Sequence, residues 1–228
     1  MNKDFFYGRK VLVTGSSSGI GKETARLFAK NGYSVFGVSR RIEEGREDYG
    51  EGSVTYLKMD VTEKESIQRV LDTIGDFSIL IHSAGFGIAG SAEDSDISLV
   101  RLQEETDYYG VLLLNSLALP ILRRQDKSLV IAVSSIAARV PLPFQGHYSA
   151  AKYALEAYMG ALRNEIKEFG VRVCVVEPGD LSTGFTSKRK NPPYRKAVGF
   201  TYKILMFLLR FFPDRLTLYI LRKMYNLD

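Results

Sequence analysis

Tyr148 and Lys152 stand four residues apart in the stretch HYSAAK (147–152), with only Ser and Ala between them. On a helix that spacing puts both side chains on one face. The face continues through Leu155, Met159, Leu162 and Ile166, a stripe apolar enough to be buried. A lysine on a buried stripe needs a chemical reason to be there. An ammonium held beside a phenolic hydroxyl stabilises the phenolate, so such a tyrosine can give or take a proton at a carbonyl or alcohol oxygen. The opposite face carries Ala150, Ala154, Ala157 and Ala161, a small-residue stripe against which the sheet or a partner helix could pack closely.

A second chemical signature lies near the amino terminus. In TGSSSGIG (14–21) the glycines Gly15, Gly19 and Gly21 follow an apolar run and open a helical pattern, with Ser17, Ser18 and Ile20 between them. Glycines here permit a tight turn and close approach of a phosphate to backbone N–H groups, and the helix N-terminus adds a favourable field for the anion. The next apolar run ends in Ser39, Arg40 and Arg41. A carboxylate at this point would accept bonds from a ribose 2′-hydroxyl, whereas guanidinium groups grip a 2′-phosphate. The pattern therefore favours NADP(H) over NAD(H).

The elements that must position these residues follow from periodicity. Apolar runs at 10–14, 34–39, 54–60, 77–83, 128–135 and 171–176 read as six strands. Helical patterns fall at 19–31, 63–74, 97–124 and 147–169, with Gly32 ending the first and Gly170 placed to cap the last. Six strands alternating with helices predict one α/β domain: a doubly wound parallel sheet, helices on both faces, ligands at the carboxyl ends of the strands. The glycine loop and the Ser39–Arg41 stretch lie at those ends.

Composition narrows the class. The chain has 228 residues, 45% hydrophobic and 25% charged, as in ordinary globular proteins. Its one cysteine, Cys174, sits in VRVCVV and reads as a core thiol; one Cys and two His leave no zinc-type ligand spacing. The opening MNKDFFYGRK lacks the long apolar stretch of a signal peptide, and a reducing cytoplasm is expected. The net charge of +5 is uneven: Thr186–Asp228 holds ten Lys/Arg against two acids. These basic residues alternate with large apolar ones instead of forming a solvated stripe, which argues against a nucleic-acid partner.

Taken together, the residues resemble the short-chain dehydrogenase/reductase family in its single-domain form, over about residues 8–187. The resemblance implies a Rossmann-type fold and hydride transfer between a nicotinamide and a carbonyl or alcohol. TGSSSGIG looks like the family's cofactor loop, and Asp60, closing the third strand and followed by Val61, like the acid beside the adenine. HSAG (82–85), with Ser83, Ala84 and Gly85, stands where the family usually has N-N-A-G. YSAAK is similar to the catalytic Y-x-x-x-K. Tyr148 is then the general acid/base, while Lys152 eases its ionisation and binds the nicotinamide ribose. Ser135, thirteen residues before Tyr148, has the spacing of the family's serine that holds the substrate oxygen. PGDLST (178–183) looks like the segment beside the nicotinamide, with Pro178, Gly179, Leu181 and Thr183.

Two departures stand out. His82 replaces an asparagine, which bears on bracing of the sheet. Asp107, in TDYYG (106–110), occupies the position of an asparagine in the family's proton relay. It heads another apolar stripe, Val111, Leu114, Ala118 and Ile121, and a buried carboxylate is costly unless paired. Asp107 is expected to pair with Lys152, directly or through water, or else to be protonated and stand in for the amide.

After the common core, KRKNPPYRK (188–196) reads as a flap over the site, and two helices at about 200–212 and 214–225 flank Pro213, each too short to span a membrane. Residues 1–187 are thus expected to form the catalytic, dinucleotide-binding domain and 188–228 a helical tail packed on it. The tail has three readings: a lid over an apolar substrate pocket, a subunit interface, or a membrane-surface contact. The resulting expectation is an NADP(H)-dependent oxidoreductase acting on a lipophilic carbonyl or alcohol, with a ketoacyl-type reductase or a non-catalytic dinucleotide-binding regulator as alternatives. The resemblance also implies a homodimer or homotetramer through the helices at 97–124 and 147–169.

Overall fold

The computed structural model describes residues 7–179. Seven strands form one sheet in the order β3-β4-β2-β1-β5-β6-β7. They are β1 (Lys10–Thr14), β2 (Ser34–Ser39), β3 (Gly45–Tyr49), β4 (Gly52–Lys58), β5 (Ile79–His82), β6 (Ser128–Val133) and β7 (Val171–Val176). All neighbours pair in parallel except β3, which runs antiparallel to β4. Five helices accompany them: α1 (Gly19–Lys30), α2 (Lys64–Ile74), α3 (Ile97–Glu104), α4 (Gly110–Leu122) and α5 (Gly146–Glu165). The chain order reverses between β1 and β5, which places the ligand crevice of a doubly wound sheet beyond their carboxyl ends.

Each face of the sheet buries its own apolar layer. On one side Leu12, Leu80 and Val130 pack under α2, α4 and α5 through Ile67, Leu114, Leu155 and Met159. On the other, Val11, Val13 and Val35 pack under α1 through Ala25 and Ala29. The stripe Leu155, Met159, Leu162 and Ile166 lies in the core as its spacing predicts, whereas the alanine face of α5 does not meet the sheet: Ala150, Ala157 and Ala161 are exposed.

Three expectations change. β3 is an additional strand, GREDY, whose charge and lack of apolar alternation conceal it. It forms because Gly50, at φ 70°, turns the chain back so that Tyr49 pairs with Gly52, an edge hairpin whose charged side chains need no core. The predicted helix 97–124 is three pieces, since a π-helical turn at Glu105–Tyr109 separates α3 from α4. Cys174 is exposed: β7 buries only alternate residues, Val171 and Val173, under α5. Asp60 and Ser135 also fall two residues past β4 and β6, in the connections where ligands are met.

Candidate active site

The turn after β1 is built for a phosphate. Gly15 has φ +71°, and a Cβ there would lie 2.6 Å from the Ser83 carbonyl oxygen; a Cβ on Gly21 would lie 2.5 Å from the Gly15 carbonyl oxygen. Ser16 folds the loop inward, its N–H donating to Val38 O at 3.1 Å and its hydroxyl to Val13 O at 2.8 Å. Ser18 is the N-cap of α1 but its side chain caps no amide, and Ser17 and Ser18 are exposed. Among the described residues no side chain caps the first turn of α1, which leaves its amides available to an anion such as a pyrophosphate. The glycine cradle and the open helix end fit a dinucleotide.

The next turns complete the crevice. Ser39 donates to Ser17 Oγ at 3.1 Å, joining the end of β2 to the glycine loop. Arg40 lies 3.8 Å from Asp60 Oδ2. Asp60 Oδ1 in turn accepts from the N–H and hydroxyl of Thr62 at 2.9 and 2.8 Å, and Val61 is buried beneath. Arg41 is exposed. Thr14 Oγ1 accepts from both Ser83 N and Ala84 N at 3.0 Å, which ties HSAG to the glycine loop. Thr14 is a bracing residue that the motifs do not single out, although it immediately precedes Gly15.

The candidate catalytic groups lie in the connections after β5 and β6 and on the helices behind them. Tyr148 and Lys152 are 6% and 5% exposed, and Lys152 Nζ lies 5.6 Å from the Tyr148 ring centroid. The Lys152 ammonium donates to Val133 O at 3.4 Å and stands 3.2 Å from Asp107 Oδ2. Asp107 Oδ1 accepts from Phe86 N at 3.0 Å, and a Cβ on Gly85 would come within 3.0 Å of the same oxygen. The π-helical turn carries Asp107: an added residue in a helical turn re-aims the side chains around it. Gly110, closing the turn, packs so tightly that a Cβ would lie 2.9 Å from Val61 Cγ2.

Burial raises the Asp107 carboxyl above its ordinary pKa, against the pull of the Lys152 charge and the Phe86 amide. Burial disfavours the Lys152 ammonium too, yet the charge of Asp107, helped by Tyr148 and Glu156, holds the lysine above its ordinary value. The direct pair expected from the sequence is thus present, as a contact of opposite charges in which Oδ2 accepts no hydrogen bond among the described residues.

Ser135 is half-buried at the N-cap of a short 3₁₀ turn, Ile136–Ala138, which packs on α5. Its Oγ accepts from Ala137 N at 3.1 Å, leaving the hydroxyl hydrogen to donate elsewhere. Pro178 O accepts from Ile136 N at 3.1 Å, so Pro178 and Gly179 run beside this turn. Leu181 and Thr183, with the whole of 188–228, lie outside the described residues. Gln103, fully buried, accepts from Ile88 N at 2.8 Å and holds the loop after HSAG; nothing in its sequence context marks it. His82 is buried with Nε2 2.9 Å from Asn115 Oδ1, so it braces β5 against α4, and burial depresses its pKa to about 4.

A doubly wound sheet with a glycine phosphate cradle and a buried Tyr-Lys pair at one crevice defines a dinucleotide-dependent oxidoreductase scaffold. Comparison with known proteins makes this specific. Residues 9–193 match the short chain dehydrogenase family, and the chain belongs to it. It is 38% identical over 183 residues to a 3-ketodihydrosphingosine reductase of Bacteroides thetaiotaomicron, covering 78% of this chain and 66% of that protein. It is 36% identical over 178 residues to a probable short-chain type dehydrogenase/reductase of Helicobacter pylori, covering 76% and 65%. The matched stretch thus spans about two thirds of the length of these relatives. A short chain dehydrogenase from Burkholderia cenocepacia, solved in complex with NADP, superposes with a TM-score of 0.72 at 27% identity, covering 81% of this chain and 78% of that one.

Proposed function

We propose that this chain is an NADP(H)-dependent carbonyl reductase or alcohol dehydrogenase acting on a lipophilic substrate, with a ketone on a long alkyl chain as the favoured class. The observation that carries the reading is the buried Tyr148–Lys152 pair, one turn apart on α5, with Lys152 linked through Asp107 to the HSAG segment that Thr14 ties to the glycine loop. A dinucleotide held by the glycine loop would supply or accept the hydride at the carbonyl carbon. Tyr148 donates its hydroxyl proton to the carbonyl oxygen in reduction and takes it back in oxidation. Ser135, its Oγ already accepting from Ala137 N, donates its hydrogen to the same oxygen and fixes its position. Lys152 holds a positive charge near the tyrosine and offers donors to ribose hydroxyls, and Asp107 keeps that ammonium in place.

The remaining cofactor contacts come from Gly15, Ser17–Gly21, Ser39–Arg41, Asp60, Val61, Ser83–Gly85, Pro178, Gly179, Leu181 and Thr183. Arg40 and Arg41 would grip the 2′-phosphate, a choice supported by the NADP complex of the Burkholderia relative. The long-chain ketone is supported by the 3-ketodihydrosphingosine reductase similarity and by the apolar, basic segment 199–228. That segment would form the lid over the substrate and reach a membrane surface in a cytoplasmic protein. No helix among the described residues is long and apolar enough to cross a membrane. Self-association would use the outer faces of α4 and α5.

The deciding experiment titrates the purified protein with NADPH and NADH, followed by nicotinamide fluorescence, and then assays reduction of a long-chain ketone by wild type and Tyr148→Phe. Tighter NADPH binding and turnover lost in the variant are expected. Binding of neither dinucleotide refutes the reading and favours a non-catalytic role, while tighter NADH binding overturns the assignment of Arg40 and Arg41.

A further inference from the structure

Three segments deliver the reacting groups: the turn after β6 with Ser135, helix α5 with Tyr148 and Lys152, and the exit from β7 that leads into Pro178 and Gly179. One side chain touches all three. Arg139 follows the 3₁₀ turn by one residue, and its guanidinium makes a two-pronged contact with Glu177, Nε to Oε2 at 3.0 Å and Nη2 to Oε1 at 2.6 Å. Nη2 also lies 3.5 Å from Glu156 Oε2 on α5. Glu177 is the residue between β7 and Pro178, and Glu156 is one helical turn beyond Lys152.

Exposed ion pairs ordinarily contribute little, but this cluster differs in three respects. The Arg139–Glu177 contact is bidentate, which fixes the mutual orientation of the two chains as well as their distance. The Glu156 side chain is only 13% exposed, and its Oε1 is buried with no hydrogen-bond partner among the described residues. It therefore depends on nearby cations for compensation, and among the described residues Arg139 is the one in ion-pair range. The side-chain link also runs alongside backbone bonds between the same two segments, Ser134 N to Val176 O at 2.8 Å and Ile136 N to Pro178 O at 3.1 Å. These bonds extend the parallel β6–β7 ladder past its end, and the guanidinium fork adds a side-chain anchor there and joins α5 to it.

We infer that Arg139 is a positioning residue which, through Glu177 and Glu156, sets the spacing of the Ser135 turn, the Tyr148–Lys152 helix and the Pro178–Gly179 segment. The inference rests on the catalytic reading above for its kinetic consequence, not for its structural one. A shift of about 1 Å between reacting groups can cost about a hundredfold in rate, whereas the phosphate cradle after β1 is built from other segments.

The test uses the full chain and the variants Arg139→Gln and Arg139→Lys. In the protein without cofactor, hydrogen–deuterium exchange is expected to rise about tenfold in peptides covering 134–138 and 176–179 of Arg139→Gln, with β1, β2 and β5 unchanged. Arg139→Lys, which keeps the charge but not the fork, falls between. In turnover, kcat for ketone reduction drops about a hundredfold in Arg139→Gln while the NADPH Kd moves by less than about threefold. Exchange unchanged at those peptides, or raised uniformly along the chain as for a general loss of stability, overturns the inference. Because the exchange measurement needs neither cofactor nor substrate, it decides the role of Arg139 even if wild type binds no dinucleotide, a result that would sink only the catalytic reading.

Discussion

Replacing Asp107 by Asn removes a negative charge from the site while preserving its shape. Asp107 Oδ2 is 3.2 Å from Lys152 Nζ, which is 5.6 Å from the Tyr148 ring centroid, so the carboxylate lies no further than about 8.8 Å from the ring. At an effective dielectric of about 20, a unit charge at that distance is worth about 1.9 kcal/mol. The sign follows from the charge: an anion near the tyrosine opposes phenolate formation and cancels part of the lysine's help. In Asp107→Asn the pH limb of kcat that reports the catalytic acid/base should therefore move to lower pH. The assay is a pH–rate profile of ketone reduction and of the reverse oxidation, at saturating dinucleotide, for wild type and variant. A limb that stays in place refutes the reasoning and means that Asp107 is already protonated over the working range, and one that moves upward refutes it by showing that Lys152 loses its charge with Asp107.

Two further outcomes follow from the same structure. His82 is neutral in the folded chain because burial lowers its pKa from 6.5 to about 4; the unfolded chain takes up the proton first. Its contribution is complete above about pH 6.5 and is lost as pH falls through about 4, for a total of about 3 kcal/mol. Denaturant melts of wild type and His82→Asn should show that acid-side slope only in wild type. Removing the guanidinium groups in Arg40→Ala/Arg41→Ala should weaken NADPH binding about 10- to 100-fold and leave NADH within about threefold. Equal losses for both dinucleotides in the fluorescence titration would place the arginines away from the 2′-phosphate.

Much of the architecture was legible because its signals are local. The six core strands could be read from apolar runs, and α1, α2 and α5 from 3.6-residue periodicity. Gly170 adopts the expected left-handed φ of 71°, but it caps a 3₁₀ turn, Lys167–Phe169, because α5 itself ends at Glu165. The extra strand β3 escaped because an edge hairpin with both faces partly wet has no apolar alternation to read. Cys174 escaped for a related reason: an apolar run shows that a strand is β-prone, not that both of its faces are covered.

Sequence alone determined which chemistry is present. A tyrosine and a lysine four apart, a glycine loop after the first strand and two arginines after the second each act through short-range covalent spacing, which folding does not alter. Only the tertiary structure decided how those groups meet. The π-helical turn that directs Asp107 onto Lys152 adds a residue to one turn, and helical periodicity carries no mark of it. The bracing by Thr14 of Ser83 and Ala84, by Gln103 of Ile88, and by Arg139 of Glu177 and Glu156 joins residues 15 to 70 positions apart. Such contacts exist only once the sheet has brought the carboxyl ends of its strands side by side.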